Sequence, residues 1–235
     1  MGMRFAGLLC ATLCLALGQT AHAALRPAVV ELFTSEGCSS CPPAERLLGE
    51  LAQRPDVLAL AFHVRYWDSL GWPDRFGLAL ADSRQDQYAR TLRLPGVFTP
   101  QVVIDGQQSF VGSDQHSITA ALQEPRQGVE ILLDGNAQQL AVTVTQSATK
   151  TTGQVLLLAL LAPVETAIGR GENAGRTVRE IGVVSEGMLL GEWNGAEQRF
   201  LIARSALPRN ADALAVIVQR QNQGAVLAAR RFALP

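Results

Sequence analysis

Residues 29–46, VVELFTSEGCSSCPPAER, constrain the fold more than any other part of the chain. An apolar run (Val29, Val30, Leu32, Phe33) ends at polar residues and Gly37. Cys38 and Cys41 follow, separated by Ser39 and Ser40, and then Pro42, Pro43 and the start of a helical pattern. This order reads as a buried strand that delivers two cysteines to the first turn of a helix. Unpaired N–H groups and the macrodipole at a helix N-terminus favour negative charge, so a thiolate is stabilised there. Pro42 and Pro43 suit an early helical turn, because the N–H groups they lack would have no intrahelical partner. Strand, Cys-x-x-Cys and helix in this order form a redox arrangement.

The chain of 235 residues is 48% hydrophobic and 17% charged, with a formal net charge of −1. That is ordinary globular composition, enough for one large domain or two small ones. No basic excess and no aromatic-basic interleaving points to nucleic acid. Arg4, an apolar run over residues 5–17 and Ala21-His22-Ala23 form a secretory leader with an A-x-A cleavage signature. The run is short for a membrane span. Residues 1–23 are therefore read as a signal peptide cleaved near Ala23, and the mature chain as periplasmic or secreted. Cleavage removes Cys10 and Cys14 and leaves Cys38 and Cys41 as the remaining cysteines. A secreted domain stapled by disulfides spreads more cysteines along its length. A bridge across two residues closes too small a loop to add much chain entropy. Exchange chemistry is the stronger reading, with a static local disulfide as the alternative. A structural zinc site lacks its second Cys or His pair.

Taken in order, residues 29–33 make the first strand, with Glu31 inside it. Glu31 is either a carboxylate that takes a proton from Cys41 during exchange or a strand-end acid facing solvent. Ala44, Leu47, Leu48, Leu51 and Ala52 recur at helical spacing over residues 42–53. Arg54-Pro55-Asp56 breaks that helix. Residues 57–64, VLALAFHV, read as a strand covered on both faces, so strand, helix and strand make a right-handed unit with a parallel pair. Beyond it, Tyr66, Trp67 and Trp72 crowd the C-terminal end of the strand, the edge at which ligands bind in open α/β sheets. They wall a substrate groove beside the thiols, or else pack under a long loop. His63 and Asp68 are candidates for adjusting thiol protonation, and His63 is equally readable as a satisfied strand-end histidine. Residues 79–92 read as a second helix. Thr99-Pro100 precedes an apolar strand, Pro being tolerated at a strand start. Asp105-Gly106 signals a hairpin turn.

Four stretches carry a resemblance: ELFTSEGCSSCPPAE (31–45), YWDSLGWPD (66–74), SRQDQYA (83–89) and FTPQVVIDG (98–106). In this order they resemble the thioredoxin-like domain of DUF1223, a family of bacterial secreted proteins. The resemblance covers residues 29–123. It implies a thioredoxin-like fold in which a cis-proline, Pro100 after Thr99, lies opposite the Cys-x-x-Cys. It therefore implies a catalytic set of Cys38, Cys41, Thr99 and Pro100. Thioredoxin itself has Trp before its first active-site cysteine, whereas Gly37 stands here, preceded by Glu36.

Residues 113–122 are expected to form a last helix, and Glu124-Pro125-Arg126-Gln127-Gly128 a linker. From Val129 the pattern changes to about seven short β runs separated by turn signals, which reads as an antiparallel β-sandwich. The fold class is thus an α/β thioredoxin-like N-terminal domain over residues 24–124, followed by a C-terminal antiparallel β-sandwich over 125–235. Residues 169–177, GRGENAGRT, are glycine-rich without a phosphate-binding spacing. They form either a loop leaning over the thiol site with Glu172, Asn173 and Arg176 on a partner, or a plain turn. The functional expectation is a thiol–disulfide oxidoreductase without a cofactor, Cys38 attacking and Cys41 resolving. Its partners would be a protein or small thiol or disulfide substrate and a membrane or soluble redox protein. The alternatives are a Cu(I)-handling protein with two thiolates and His63 as donors, and a non-catalytic adaptor with a structural disulfide.

Overall fold

The computed structural model describes residues 24–234, and the signal peptide read at 1–23 lies outside them. The first half runs β1 (Ala24–Leu25), β2 (Ala28–Thr34), α1 (Pro42–Leu51), β3 (Val57–His63), α2 (Ala79–Thr91), β4 (Gln101–Ile104), β5 (Gln108–Val111) and α3 (Gln115–Ala121). Four of these strands form one sheet in the order β3-β2-β4-β5. β2 and β3 pair in parallel, and β4 and β5 run antiparallel to their neighbours. The apolar runs are buried on both faces, as crossover helices require. Side chains of β2 alternate: Val30 and Leu32 pack with Ala44, Leu47, Leu48 and Leu51 of α1 and Ile118 of α3. Val29 and Phe33 face the other way, toward Tyr88 of α2. Asp105 (φ 51) and Gly106 (φ 69) make the tight turn between β4 and β5, and paired positive φ suits the right-handed twist of a hairpin.

The second half comprises β6 (Gln127–Gly128), β7 (Ile131–Gly135), β8 (Gln139–Val144), β9 (Gly153–Leu160), β10 (Val164–Ala167), β11 (Thr177–Glu180), β12 (Val184–Trp193), β13 (Gln198–Ala203), β14 (Ala213–Gln219) and β15 (Val226–Ala233). A sheet of order β12-β9-β14-β15 and one of order β13-β8-β7 are both antiparallel. They share an apolar core that includes Ile131, Leu140 and Val142 from one and Leu157, Trp193, Leu214 and Val216 from the other. β10 and β11 pair separately. The whole is a mixed α/β structure, mostly strands in several sheets with few helices.

Besides the two-residue strands β1 and β6, two strands escaped the sequence reading. β12 carries Gly187 and Gly191 and two register shifts against β9, and such bulges disrupt the period-2 alternation on which a strand is recognised. β10 is four residues long, too short for a clear pattern. The stretch read as a linker is tied down: β6 pairs with β1, and Arg126 bonds Ala121 O at 2.8 Å and the Asp105 carboxylate.

The halves also share a core. Leu158, Leu160, Ala213, Ala215 and Ile217 of β9 and β14 pack with Val29, Phe33, Leu58, Leu60, Phe62 and Tyr88. In this layer Glu31 is fully buried and paired with Arg84. Tyr88 OH donates to Glu31 Oε1 at 2.5 Å, and Arg84 Nη2 donates to Gln219 Oε1 at 2.9 Å. Gln219 Nε2 in turn donates to Tyr88 OH at 2.9 Å. A buried ion pair whose remaining valences are satisfied in this way is costly to break from one side.

Candidate functional site

Cys38 and Cys41 form a disulfide at the start of α1. The turn before it is set by backbone bonds, Cys38 N to Ser35 O at 3.0 Å and Cys41 N to Cys38 O at 3.2 Å. Both cysteines are 0% exposed, whereas Ser39 and Ser40 between them are exposed. The Thr99–Pro100 peptide is cis. Thr99 Oγ1 donates to Cys38 Sγ at 3.4 Å and accepts from Trp67 Nε1 at 2.8 Å. Trp67, the loop aromatic, is thereby fastened to the cysteine through one threonine. Tyr66 stacks obliquely beside it at 6.4 Å between ring centroids and is exposed. Trp72 Nε1 donates to Glu36 Oε2 at 2.7 Å. Gly37 keeps this packing close, because a Cβ there would stand 3.3 Å from Trp67 Cβ. Thr99, Pro100, Trp67 and Trp72 thus come together around the cysteines, with Tyr66 at their margin.

The two relay candidates part company. Glu31 projects from the face of β2 opposite α1, into the Arg84–Tyr88–Gln219 network, so the strand alternation keeps it from the sulfurs. The structure does not bring it to Cys41. His63 lies on the α1 side, fully buried, with Nδ1 2.7 Å from Asp74 Oδ2 and Nε2 3.7 Å from Glu180 Oε1. Glu45, one helical turn after Cys41, accepts from Thr34 Oγ1 at 2.8 Å. Asp74 also accepts from Glu36 N at 2.8 Å.

Glu36, Glu45, His63, Asp74 and Glu180 therefore make a buried titratable layer, and Glu36 Oε1, Glu45 Oε2, His63 Nε2 and Glu180 Oε1 have no hydrogen-bond partner in it. Burial pushes Glu180 up to about 8, against the pull of His63. Burial likewise raises Glu45, against the Thr34 hydrogen bond. For His63, burial works downward, but the hydrogen bond to and charge of Asp74 outweigh it and hold the imidazole above its ordinary range. For Asp74 burial works upward and the same bond wins, leaving the carboxyl low. Both shifts favour the charged form of the His63–Asp74 pair, while Glu45 and Glu180 hold protons more firmly than solvated carboxyls.

Sequence reasoning missed Glu45, Asp74 and Glu180 as members of this layer. Glu45 was detectable, since position i+4 from Cys41 shares its helix face. Asp74 stood within the YWDSLGWPD stretch. Glu180 comes from β11 in the second half, and nothing local marks it.

The loop over residues 169–177 also reaches this site. Asn173 Nδ2 donates to Glu36 O and to Cys38 O, both at 2.9 Å. Ser39 N lies 3.4 Å from Glu172 Oε2. Among the described residues no group of three or more His, Cys, Asp or Glu is placed to hold a metal ion.

Residues 29–219 match the family described as "Protein of unknown function (DUF1223)", and the chain belongs to that family. Among solved structures it is similar to protein AGR_C_4864 from Agrobacterium tumefaciens, with a TM-score of 0.76 and 24% identity over 88% of this chain and 93% of that one. It is also similar to HBP35 of Porphyromonas gingivalis, with a TM-score of 0.55 and 13% identity over 89% of this chain and 76% of that one. At these identities the likeness is one of fold. No curated protein matches the sequence.

Proposed function

We propose that the chain is a thioredoxin-like thiol–disulfide oxidoreductase followed by a β-sandwich, working in the periplasm or outside the cell. One observation carries the reading: a disulfide at the N-terminus of α1 whose first sulfur lies 3.4 Å from Thr99 Oγ1, in the Thr-Pro segment. A parallel β2–β3 pair with α1 between them in sequence supports the fold assignment. In the reducing direction, the Cys38 thiolate attacks a substrate disulfide, forming a mixed disulfide and releasing one substrate thiolate. Cys41 then attacks Cys38 Sγ, closing the intramolecular disulfide and releasing the second thiolate, so two electrons pass to the substrate. The macrodipole of α1 favours the Cys38 thiolate, without free amides of its first turn, because Pro42 and Pro43 have no N–H and Ala44 N and Glu45 N donate to Cys41 O. The Thr99-Pro100 segment, flanked by the exposed side chains of Tyr66, Val97 and Phe98, would receive the substrate chain.

The test uses Cys38→Ser and Cys41→Ser in an exchange assay with a disulfide-bonded protein. Cys38→Ser is expected to abolish exchange, and Cys41→Ser to accumulate mixed disulfides. Activity of both variants equal to wild type would remove the proposal. The complete burial of both cysteines favours a second reading, a permanent disulfide in a partner-binding adaptor. That reading requires a bridge that stays oxidised in cells and resists glutathione.

A further inference from the structure

Between Gly169 and Thr177 every residue is exposed except Asn173, which is 1% exposed. A single buried amide in an otherwise solvated, glycine-rich loop calls for a reason. The loop is closed at its neck by two backbone bonds, Ile168 N to Arg176 O at 2.9 Å and Gly175 N to Ile168 O at 2.8 Å. Gly171 (φ 79) and Gly175 (φ 80) take left-handed conformations that a glycine adopts without cost. From that neck the tip reaches across to the first half. A Cβ at Gly171 would lie 3.1 Å from Trp72 Cβ, so the loop rests on the aromatic that is bonded to Glu36. Asn173 then spends both protons of its Nδ2 on the carbonyls of Glu36 and Cys38. Its Oδ1 accepts from Arg176 Nη1 at 3.1 Å, which orients the amide. These two carbonyls bracket the turn that presents Cys38, and the cysteines on that turn are wholly buried.

We propose that Asn173 is a positioning residue of the dithiol site and the latch of a cap, residues 169–175, which lifts before a thiol can reach Cys38. The proposal rests on the exchange reading for its purpose, while its physical content concerns access alone. It gives the second half of the chain a part in the redox site: a partner that engages the loop would release the latch and open the disulfide.

The experiment measures how fast dithiothreitol reduces Cys38–Cys41 in the full chain, with free thiols trapped by alkylation and counted by mass. One dithiothreitol thiolate attacks Cys38 Sγ and displaces the Cys41 thiolate. The second thiol then attacks its own sulfur in the mixed disulfide, releasing the Cys38 thiolate and the oxidised cyclic reagent, a two-electron transfer. Asn173→Ala and Asn173→Asp both lack the donor pair and are expected to be reduced about tenfold faster or more. Arg176→Ala leaves the site residues intact and frees the amide, so a smaller acceleration is expected. Arg170→Ala changes an exposed side chain of the same loop and is the control, expected to stay near wild type. Denaturation midpoints accompany each rate, because acceleration in proportion to global destabilisation would indicate a merely structural residue and overturn the latch. Asn173→Asp behaving as wild type, or equal rates for all variants, would also overturn it. Failure of the exchange proposal reads differently: the Asn173 variants accelerate reduction, yet Cys41→Ser traps no substrate.

Discussion

Glu180, brought from the second half against His63, makes the stability of the protein depend on pH in a direction that can be worked out. A carboxyl raised by folding to about 8 contributes stability that is full below its unfolded value and lost as pH rises through 8. His63, also raised, acts with the same sign, from its ordinary range upward. Asp74, lowered, acts oppositely, losing its contribution only in acid as pH falls below the ordinary carboxylate range. Stability is therefore expected to decline between about pH 5.5 and pH 8. Glu180→Gln should flatten that decline, by at most about 1.4 kcal/mol per pH unit, in urea denaturation at both pH values. Parallel losses in variant and wild type would contradict the assignment. At this scale the sequence was informative where chemistry is local: Cys38 and Cys41 could be paired from their spacing. Glu31, readable as a relay for Cys41 or as a strand-end acid facing solvent, is neither: period-2 alternation turns it from the thiols into the buried Arg84–Tyr88 network. Glu180 and Gln219 were out of reach, because only the fold makes them neighbours of His63 and Glu31.

At the level of elements, α1 is held against the sheet through unusually small residues. Gly112, just after β5, leaves no room: a Cβ there would lie 2.9 Å from both Ala44 Cβ and Pro100 Cβ and 3.1 Å from Leu32 Cδ1. Those three atoms belong to α1, to the segment facing the disulfide, and to the central strand, and the two nearest, Ala44 Cβ and Pro100 Cβ, are fixed to the backbone and cannot swing aside. Gly112→Ala is expected to cost about 1–3 kcal/mol in chemical denaturation, the usual penalty of overpacking. A neutral result would mean that the helix and the Pro100 segment shift freely. The α1 helix was legible because Ala44, Leu47, Leu48 and Leu51 repeat at helical spacing under a Pro-Pro start. β12 was not, since bulges at Val184/Glu186 and Leu189/Gly191 interrupt its alternation. The 169–177 loop was noticed for its glycines. That it reaches Cys38 O depends on where β10 and β11 carry it.

For the whole molecule, the boundary drawn near residue 124 marks a change of pattern, and the core runs through it. Phe33, Leu60, Phe62 and Tyr88 bury against Leu158, Leu160, Ala215 and Ile217. Gly182 O accepts from Ala61 N at 2.8 Å, covering the outer edge of β3. Residues 24–124 expressed alone are thus expected to lack a cooperative unfolding transition by circular dichroism, and a sharp two-state transition would contradict a shared core. Such sharing could not be read from the sequence, because the apolar faces of β9 and β14 look alike whichever sheet they cover. The measurement that bears most directly on the central claim is the equilibrium of the Cys38–Cys41 pair against glutathione. A redox-active pair is expected to equilibrate at a potential between about −270 mV and about −120 mV, its position giving the direction of transfer. A potential below about −300 mV, with no exchange, would contradict the account and leave a structural disulfide.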